Sequence, residues 1–118
     1  MGESFKDLIV WQRSIELTVA VYKVTAEFPK TEQFGLTNQL RRASVSVASN
    51  IVEGYGRSIR GEYLQFLGHA RGSICEVQTL IEISAQLGFG QDTLRTTAND
   101  LSEEVSRMLV AMMKKLRI

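Results

Sequence analysis

The chain has 118 residues, of which 14 are basic and 13 acidic, for a formal net charge of +1 at pH 7. A hydrophobic fraction of 44% and a charged fraction of 23% fit one globular domain and exclude a disordered chain. The balanced charge excludes any argument for nucleic-acid binding from bulk charge alone.

The cysteine count and the N-terminal residues indicate a compartment. Cys75 is the only cysteine, so no disulfide can form within the chain, as expected in a reducing cytoplasm. Residues 1–7 lack the apolar stretch of a signal peptide, and no apolar run approaches the roughly 20 residues that cross a bilayer. We therefore expect a cytoplasmic protein with no membrane partner.

The first predicted helix spans about 7–27, with Asp7 as its N-cap and the Phe28–Pro29 pair as its end. Two lines of apolar residues follow it at helical spacing. The first is Leu8, Trp11, Ile15, Val19 and Tyr22, and the second is Val10, Leu17, Val21, Val24 and Phe28. Because one buried line suffices for a helix on a monomer core, the second line predicts an interface with a partner helix or another subunit.

The second predicted helix spans about 36–54, with Thr31 or Thr37 near its start. It ends at Gly54-Tyr55-Gly56, where glycine suits the left-handed position after a helix. A run of β-branched residues also fits a strand, but the apolar spacing of three and four favours a helix. The residues of that run are Val45, Val47, Ile51 and Val52.

The third predicted helix spans about 60–87 and ends at Gly88-Phe89-Gly90. Gly68 and Gly72 share one of its faces and predict the close approach of a neighbouring backbone.

The fourth predicted helix spans about 92–117, with Asp92 as its N-cap, and carries two interleaved apolar lines at spacings of seven. These lines are Leu94, Leu101 and Met108, and Ala98, Val105 and Met112. Four helices with short connections predict an all-α fold: an up-and-down antiparallel four-helix bundle, as a single domain over residues 1–118.

The sequence offers no catalytic constellation, and we expect no enzyme, cofactor or metal. His69 is the only histidine, and Cys75 lies six residues after it, so together they cannot supply the several nitrogen or sulfur ligands of a typical metal site. We predict His69 to be a structural or surface residue and Cys75 to be a small buried one.

Polar residues at spacings of three and four in the second and third helices allow three interpretations. They form a solvated surface, a network buried between helices or subunits, or, for the arginines, a phosphate contact. We predict that the network is buried and hydrogen-bonded, with Asn50, Glu53, Arg71 and Glu76 as its members. The candidate nucleic-acid contacts are Arg41, Arg42, Arg57, Arg60, Lys114, Lys115 and Arg117, and we expect weak or absent binding at physiological salt.

Several blocks together resemble the bacterial family of 23S rRNA-intervening sequence proteins, over roughly residues 5–88. The blocks are Trp11-Gln12, 25–29, 32–36, 39–46, 49–54 and 70–73. Two departures from the family pattern lie in the second helix. Val47-Ala48 replaces a common proline, and Val52 replaces the usual alanine, which is expected to straighten or repack this helix slightly.

The resemblance implies a homopentamer of up-and-down bundles. The family is also similar to the accessory variability proteins of diversity-generating retroelements, which associate with a reverse transcriptase and nucleic acid. We therefore expect a non-enzymatic oligomeric scaffold that binds a protein or RNA partner. The alternative is a nucleic-acid-binding accessory protein that acts through a basic surface of the assembled ring.

Overall fold

A computed structural model describes residues 4–117, and four α-helices account for most of them. The helices are α1 (Ile9–Thr25), α2 (Leu36–Tyr55), α3 (Arg60–Leu87) and α4 (Asp92–Leu116). Short 3₁₀ turns at Phe5–Asp7 and Lys30–Glu32 precede α1 and α2. The described residues contain no strand, so the β-branched run of α2 is helical.

The helices form an up-and-down antiparallel bundle, as predicted. Each helix packs on the next in sequence, and α1 also packs on α4. The 28 residues of α3 correspond to about 42 Å at 1.5 Å per residue, which matches the 44 Å long axis of the molecule. Among the described helices, none combines the length and apolarity that crossing a membrane requires.

One hydrophobic core runs the length of the bundle and receives residues from all four helices. Its fully buried large side chains include Leu17, Leu40, Ile51, Leu67, Ile74 and Leu109. Four buried serines also lie in the core, each donating to a carbonyl of its own helix: Ser14, Ser44, Ser84 and Ser102. Between residues 4 and 117, no buried side-chain nitrogen or oxygen lacks a hydrogen-bond partner.

The helix starts differ from the predicted caps. Asp7 belongs to the first 3₁₀ turn, where its carboxylate accepts from the Ser4 N–H at 3.1 Å, and Leu8 precedes α1 without a side-chain cap. Thr31 and Thr37 do not cap α2. Instead the Glu32 side chain accepts from the Leu36 N–H at 3.1 Å.

The start of α4 also lacks the predicted cap. Asp92 is the first residue of the helix, and its carboxylate pairs with Arg95. Arg95 is buried and also donates to the carbonyls of Phe89 and Gly90. A carboxylate inside the first turn still suits the positive end of the helix dipole.

Some glycines lie at helix ends and others at contacts between helices. Their positions correct two predictions, one for the end of α2 and one for the close approach at Gly68 and Gly72. Gly88 is left-handed (φ 76°) at the end of α3, but Gly56 is right-handed (φ −77°) at the end of α2. The close approach lies at Gly54, where a Cβ would meet Tyr63 at 2.9 Å. A Cβ at Gly72 would meet nothing within 4 Å, and one at Gly68 would make only an ordinary contact with Met113 at 3.8 Å.

The most buried face of α4 is rotated from the predicted heptad seam. Ala98 and Val105 are fully buried, as the heptad requires, but the buried line continues through Ser102, Leu109 and Met113. The line Leu94, Leu101 and Met108 is only half-buried at the edge of this face, as is Met112. The half-buried line therefore leaves apolar surface along one side of α4.

Candidate functional site

The sequence analysis expected the second apolar line of α1 to form an interface, but in the structure that line faces the core and part of the first line is exposed. The second line is the core line, and all five of its residues are buried: Val10, Leu17, Val21, Val24 and Phe28. In the first line, Leu8 and Trp11 are half-buried, whereas Ile15, Val19 and Tyr22 are exposed by 38%, 49% and 44%. The positions of α2 and α4 decide which line faces inward, and a single helix does not reveal them.

The exposed part of α1 faces the half-buried part of α4 across a groove of about 370 Å³, here called the α1/α4 groove. Its lining is Ile15, Glu16, Val19, Ala20, Lys23, Leu94, Thr97 and Leu101. The lining is mainly aliphatic, with Glu16 and Lys23 contributing one charge of each sign. This groove is the clearest candidate for contact with another molecule.

Polar and aromatic contacts close the α1–α4 seam on both sides of the groove. Toward one end, Arg13 Nε donates to Glu104 at 3.1 Å, and Arg13 also pairs with Glu16 at 2.7 Å. These hydrogen bonds, to Glu16 first and then Glu104, raise the pKa of the Arg13 guanidinium.

Toward the other end, the Phe28 and Phe89 rings lie 5.8 Å apart, and Gln91 donates to the Glu27 carboxylate at 3.0 Å. A Cβ at Gly90 would lie 3.2 Å from the Val24 side chain, so the turn before α4 fits tightly against α1. The groove is thus a local gap in an otherwise closed seam.

The seven predicted nucleic-acid contacts fall into two separate groups. Because the bundle is antiparallel, the α2–α3 connection and the C-terminal end of α4 lie at the same end of the molecule. That end carries five exposed cations, here called the basic end: Arg57, Arg60, Lys114, Lys115 and Arg117. Arg41 and Arg42 lie near the start of α2, toward the opposite end.

Contacts within the chain define the positions of Arg41 and Arg57. Arg41 donates to the Thr25 hydroxyl at 2.8 Å, and its guanidinium lies 4.4 Å from the centroid of the Tyr22 ring. Arg57 lies 3.4 Å from a Glu53 oxygen and 4.9 Å from the centroid of the Phe66 ring. Arg41 therefore holds α2 against α1 in addition to presenting a charge.

The predicted polar network is not buried within the single chain. Glu53, Arg71 and Glu76 are exposed, and Asn50 is half-buried, donating to the Ser46 carbonyl at 2.8 Å. Arg71 and Glu76 are five residues apart on α3, which places them about 140° apart around the helix. The prediction of burial between helices is therefore wrong for the three charged residues, and burial between subunits stays a prediction.

A smaller polar contact replaces the predicted network between α2 and α3. The hydroxyls of Ser46 and Ser73 lie 2.8 Å apart, and the Asn50 amide donates to the Ser46 hydroxyl at 3.0 Å. Both serines appear in the polar pattern of the sequence. What could have identified them in the sequence is their small size, which lets α2 and α3 approach each other. The charged residues beside them were not informative.

Two further residues escaped the sequence analysis. Phe34 is 88% exposed, the largest value among the large apolar side chains of the described residues. Arg95, by contrast, is a charged residue that is buried, whereas the other buried residues of α4 are small or apolar. The proximity of Arg95 to the Gly88–Gly90 break is the signal that could have identified it as a residue that holds the turn.

The residues with nucleophilic or metal-binding potential do not converge. His69 is exposed, with its ring 5.9 Å from that of Phe66, and Cys75 is also exposed, which corrects the expectation that it is buried. Six residues separate them on α3, so they lie about 120° apart around the helix. Within residues 4–117, no group of three or more histidine, cysteine or acidic side chains is arranged to hold a metal ion.

Comparisons with known proteins agree with this architecture. A crystal structure of a protein of unknown function from the S23 ribosomal protein family of Bacteroides thetaiotaomicron is similar, with a TM-score of 0.79 and 21% identity. The similarity covers 89% of this chain and 98% of that one. A search of the curated proteins gave no match. The model of the 23S rRNA-intervening sequence protein family matches residues 6–111, and the chain therefore belongs to that family.

Proposed function

We propose that the protein is a non-enzymatic helical scaffold that assembles with further copies of itself and presents the assembled surface to a protein or RNA partner. The observation that carries this proposal is the α1/α4 groove, an apolar recess left open on a bundle whose core is already complete. The stoichiometry of five is an expectation from the family resemblance, since the groove is compatible with other closed assemblies.

The exposed α1 residues of the groove lie outside the buried core of the chain. The α1 side of the core is formed by Val10, Leu17, Val21 and their neighbours, so Ile15 and Val19 remain outside it. Apolar surface that serves no core and lies in a recess is a common feature of protein interfaces. Contact with another copy removes this surface from water.

Across the part of the chain that the structure describes, the residues with nucleophilic or metal-binding potential do not converge, which favours a scaffold over an enzyme. His69 and Cys75 lie on different sides of α3, and His69 contacts an aromatic ring rather than an acid that would orient it. A scaffold needs no such arrangement, because its activity consists of holding surfaces in place.

Light scattering on the eluted protein tests the assembly. We expect a mass above the 13.2 kDa of one chain, and a pentamer would give five times that value. Val19→Glu places a charge in the groove and should reduce the mass, whereas Ile83→Glu, at an exposed apolar position of α3, should leave it unchanged. A stable 13.2 kDa species at micromolar concentration would contradict the proposal.

A second candidate function is nucleic-acid binding through the basic end. The observation in its favour is that cations from two distant chain segments, 57–60 and 114–117, come together at one end of the bundle. Glu53 and Glu62 lie at the same end and reduce its net charge. We therefore expect only weak binding at physiological salt.

A salt titration with single-stranded RNA distinguishes this candidate. Contacts with phosphates release counterions, so the logarithm of the binding constant should fall linearly with the logarithm of the salt concentration. Replacing Lys114, Lys115 and Arg117 by alanine should reduce that slope, whereas Arg42→Ala, toward the other end, should not. Submicromolar binding at about 150 mM salt would make nucleic-acid binding the leading function.

A further inference from the structure

Phe34 lies on a hydrogen-bonded turn that exposes its ring to solvent. The turn is closed by hydrogen bonds from the Gln33 N–H to the Lys30 carbonyl at 3.1 Å and from the Gly35 N–H to the Glu32 carbonyl at 2.9 Å. A Cβ at Gly35 would lie 2.7 Å from a carboxylate oxygen of the Glu32 side chain, so a larger residue there would displace that side chain. With 88% of its surface accessible, Phe34 is presented by the turn rather than packed beneath it.

The α1/α4 groove has the size and chemistry to accept one aromatic ring. Its volume is about 370 Å³, and its lining includes Ala20, Leu94 and Leu101. A phenylalanine that enters an apolar recess buries about 150–250 Å², and a few such anchors carry most of the binding free energy of an interface. Because the turn is preformed, little conformational entropy is lost when the ring is buried.

Phe34 and the groove belong to different faces of the same chain. The groove lies between α1 and α4, whereas Phe34 precedes α2, which packs on α1 and α3. Both lie toward the end of the bundle where α1 connects to α2. A contact between two different faces repeats from copy to copy, which closes a ring or continues as a filament.

The turn and the groove each carry charged residues of both signs. Lys30 and Glu32 belong to the turn that carries Phe34, and Glu16 and Lys23 edge the groove. An apolar centre surrounded by polar side chains of both signs is the usual arrangement of a protein interface.

We propose that Phe34 of one copy inserts into the α1/α4 groove of a second copy. This inference rests on the proposed assembly and identifies the contact that forms it. A single ring buries only part of the roughly 1,600 Å² of a stable interface, so Phe34 is an anchor within a wider contact.

Two single variants and their mixture test this contact. Phe34→Ala removes the ring, and Val19→Glu blocks the groove, both at exposed positions where the monomer should keep its fold and thermal stability. Each variant alone should raise the concentration needed for assembly by at least about thirtyfold, the typical loss of an anchor residue. Leu87→Ala, which removes another exposed apolar side chain, should behave as wild type.

The mixture separates this contact from other modes of association. Phe34→Ala retains an intact groove and Val19→Glu retains an intact ring, so an equimolar mixture should form a 1:1 heterodimer and nothing larger. Wild-type assembly by Phe34→Ala, or a mixture that forms no heterodimer, would overturn the inference. If Val19→Glu alone dissociates, assembly through the groove stands and Phe34 is not its anchor. A monomeric wild type overturns both proposals.

Discussion

The α2/α3 and α1/α4 seams lie on opposite sides of the bundle and are closed in different ways. Between α2 and α3, Gly54 lies against Tyr63 and Phe66, and Ser46 meets Ser73. Between α1 and α4, aliphatic side chains line a groove that stays open to solvent. Small residues let two helices approach until they fill the seam, whereas branched residues keep them apart.

This contrast indicates a division of roles between the two sides. The α2/α3 seam is closely packed at Gly54 and at the Ser46–Ser73 contact, so these residues contribute to folding stability. The α1/α4 seam has apolar surface left over at Ile15 and Val19, which lie outside the core and are available for association. The two seams should therefore respond differently to substitution.

The largest effect is expected at the closed seam. In Gly54→Ala the added methyl lies 2.9 Å from Tyr63 Cδ1 and 3.3 Å from its carbonyl oxygen, so α3 must shift. Overpacking of this kind costs about 1–3 kcal/mol of unfolding free energy, measured by denaturant titration. Gly72→Ala is the matched control and should stabilise by about 0.5–1 kcal/mol, because that site is open. Equal changes in unfolding free energy for Gly54→Ala and Gly72→Ala would contradict the expected contrast between the closed seam and an open site.

The next effect concerns the turn that closes one end of the α1/α4 seam. Arg95→Ala leaves the carbonyls of Phe89 and Gly90 without their charged donor. The expected cost is about 1–2 kcal/mol, because both residues are half-buried and water can replace part of the interaction. Thermal melts should show the loss, and Arg107→Ala, exposed on the same helix, should stay within about 0.5 kcal/mol.

A smaller effect is expected from the charged residues of α3. At concentrations where the chain is monomeric, Arg71→Ala and Glu76→Ala should each change stability by less than about 0.5 kcal/mol, because both side chains are exposed. The melts should be repeated at high protein concentration. A loss of about 3–5 kcal/mol that appears only there would show that assembly buries and pairs these charges.

The smallest effect is a pH dependence at the closed seam. Burial first, and the neighbouring Tyr55 second, raise the pKa of Tyr63 above its ordinary value of 10.0. The neutral phenol therefore contributes stability that is complete below pH 10 and is lost as the pH rises through the folded-state pKa. Tyr63→Phe should lose less stability than wild type between about pH 9 and about pH 11. If the stabilities of wild type and Tyr63→Phe fall in parallel as the pH rises, Tyr63 makes no such contribution.

Local sequence signals predicted the architecture because helices depend on local periodicity and on breaks. Each observed helix begins and ends within two residues of its predicted bounds, and α3 ends at Leu87, directly before the predicted break at Gly88. The caps were less predictable. Asp7 and Asp92 are good capping residues, but a neighbouring turn at one position and Arg95 at the other engage their carboxylates.

The residues of the candidate site could not be predicted, because they depend on how each helix is rotated about its axis against its neighbours. Periodicity along the sequence does not determine that rotation. Both lines of α1 have helical spacing, and only the placement of α4 leaves Ile15 and Val19 outside the core. The same ambiguity explains why Gly72 was expected to pack closely and Gly54 to end a helix. The exposure of Phe34 could not be predicted for a different reason, since a residue exposed in a loop belongs to no periodic sequence pattern.

The connection between α2 and α3 has a consequence for how the chain can be divided. Its residues 56–59 are all exposed, as are the first two residues of α3, and trypsin cleaves after arginines such as Arg57. A cut there leaves two helical hairpins, α1–α2 and α3–α4, that remain associated through the two seams compared above. We therefore expect two fragments, residues 1–57 and 58–118, to complement each other when mixed, with the α2/α3 seam as the part of their contact that depends most on exact fit.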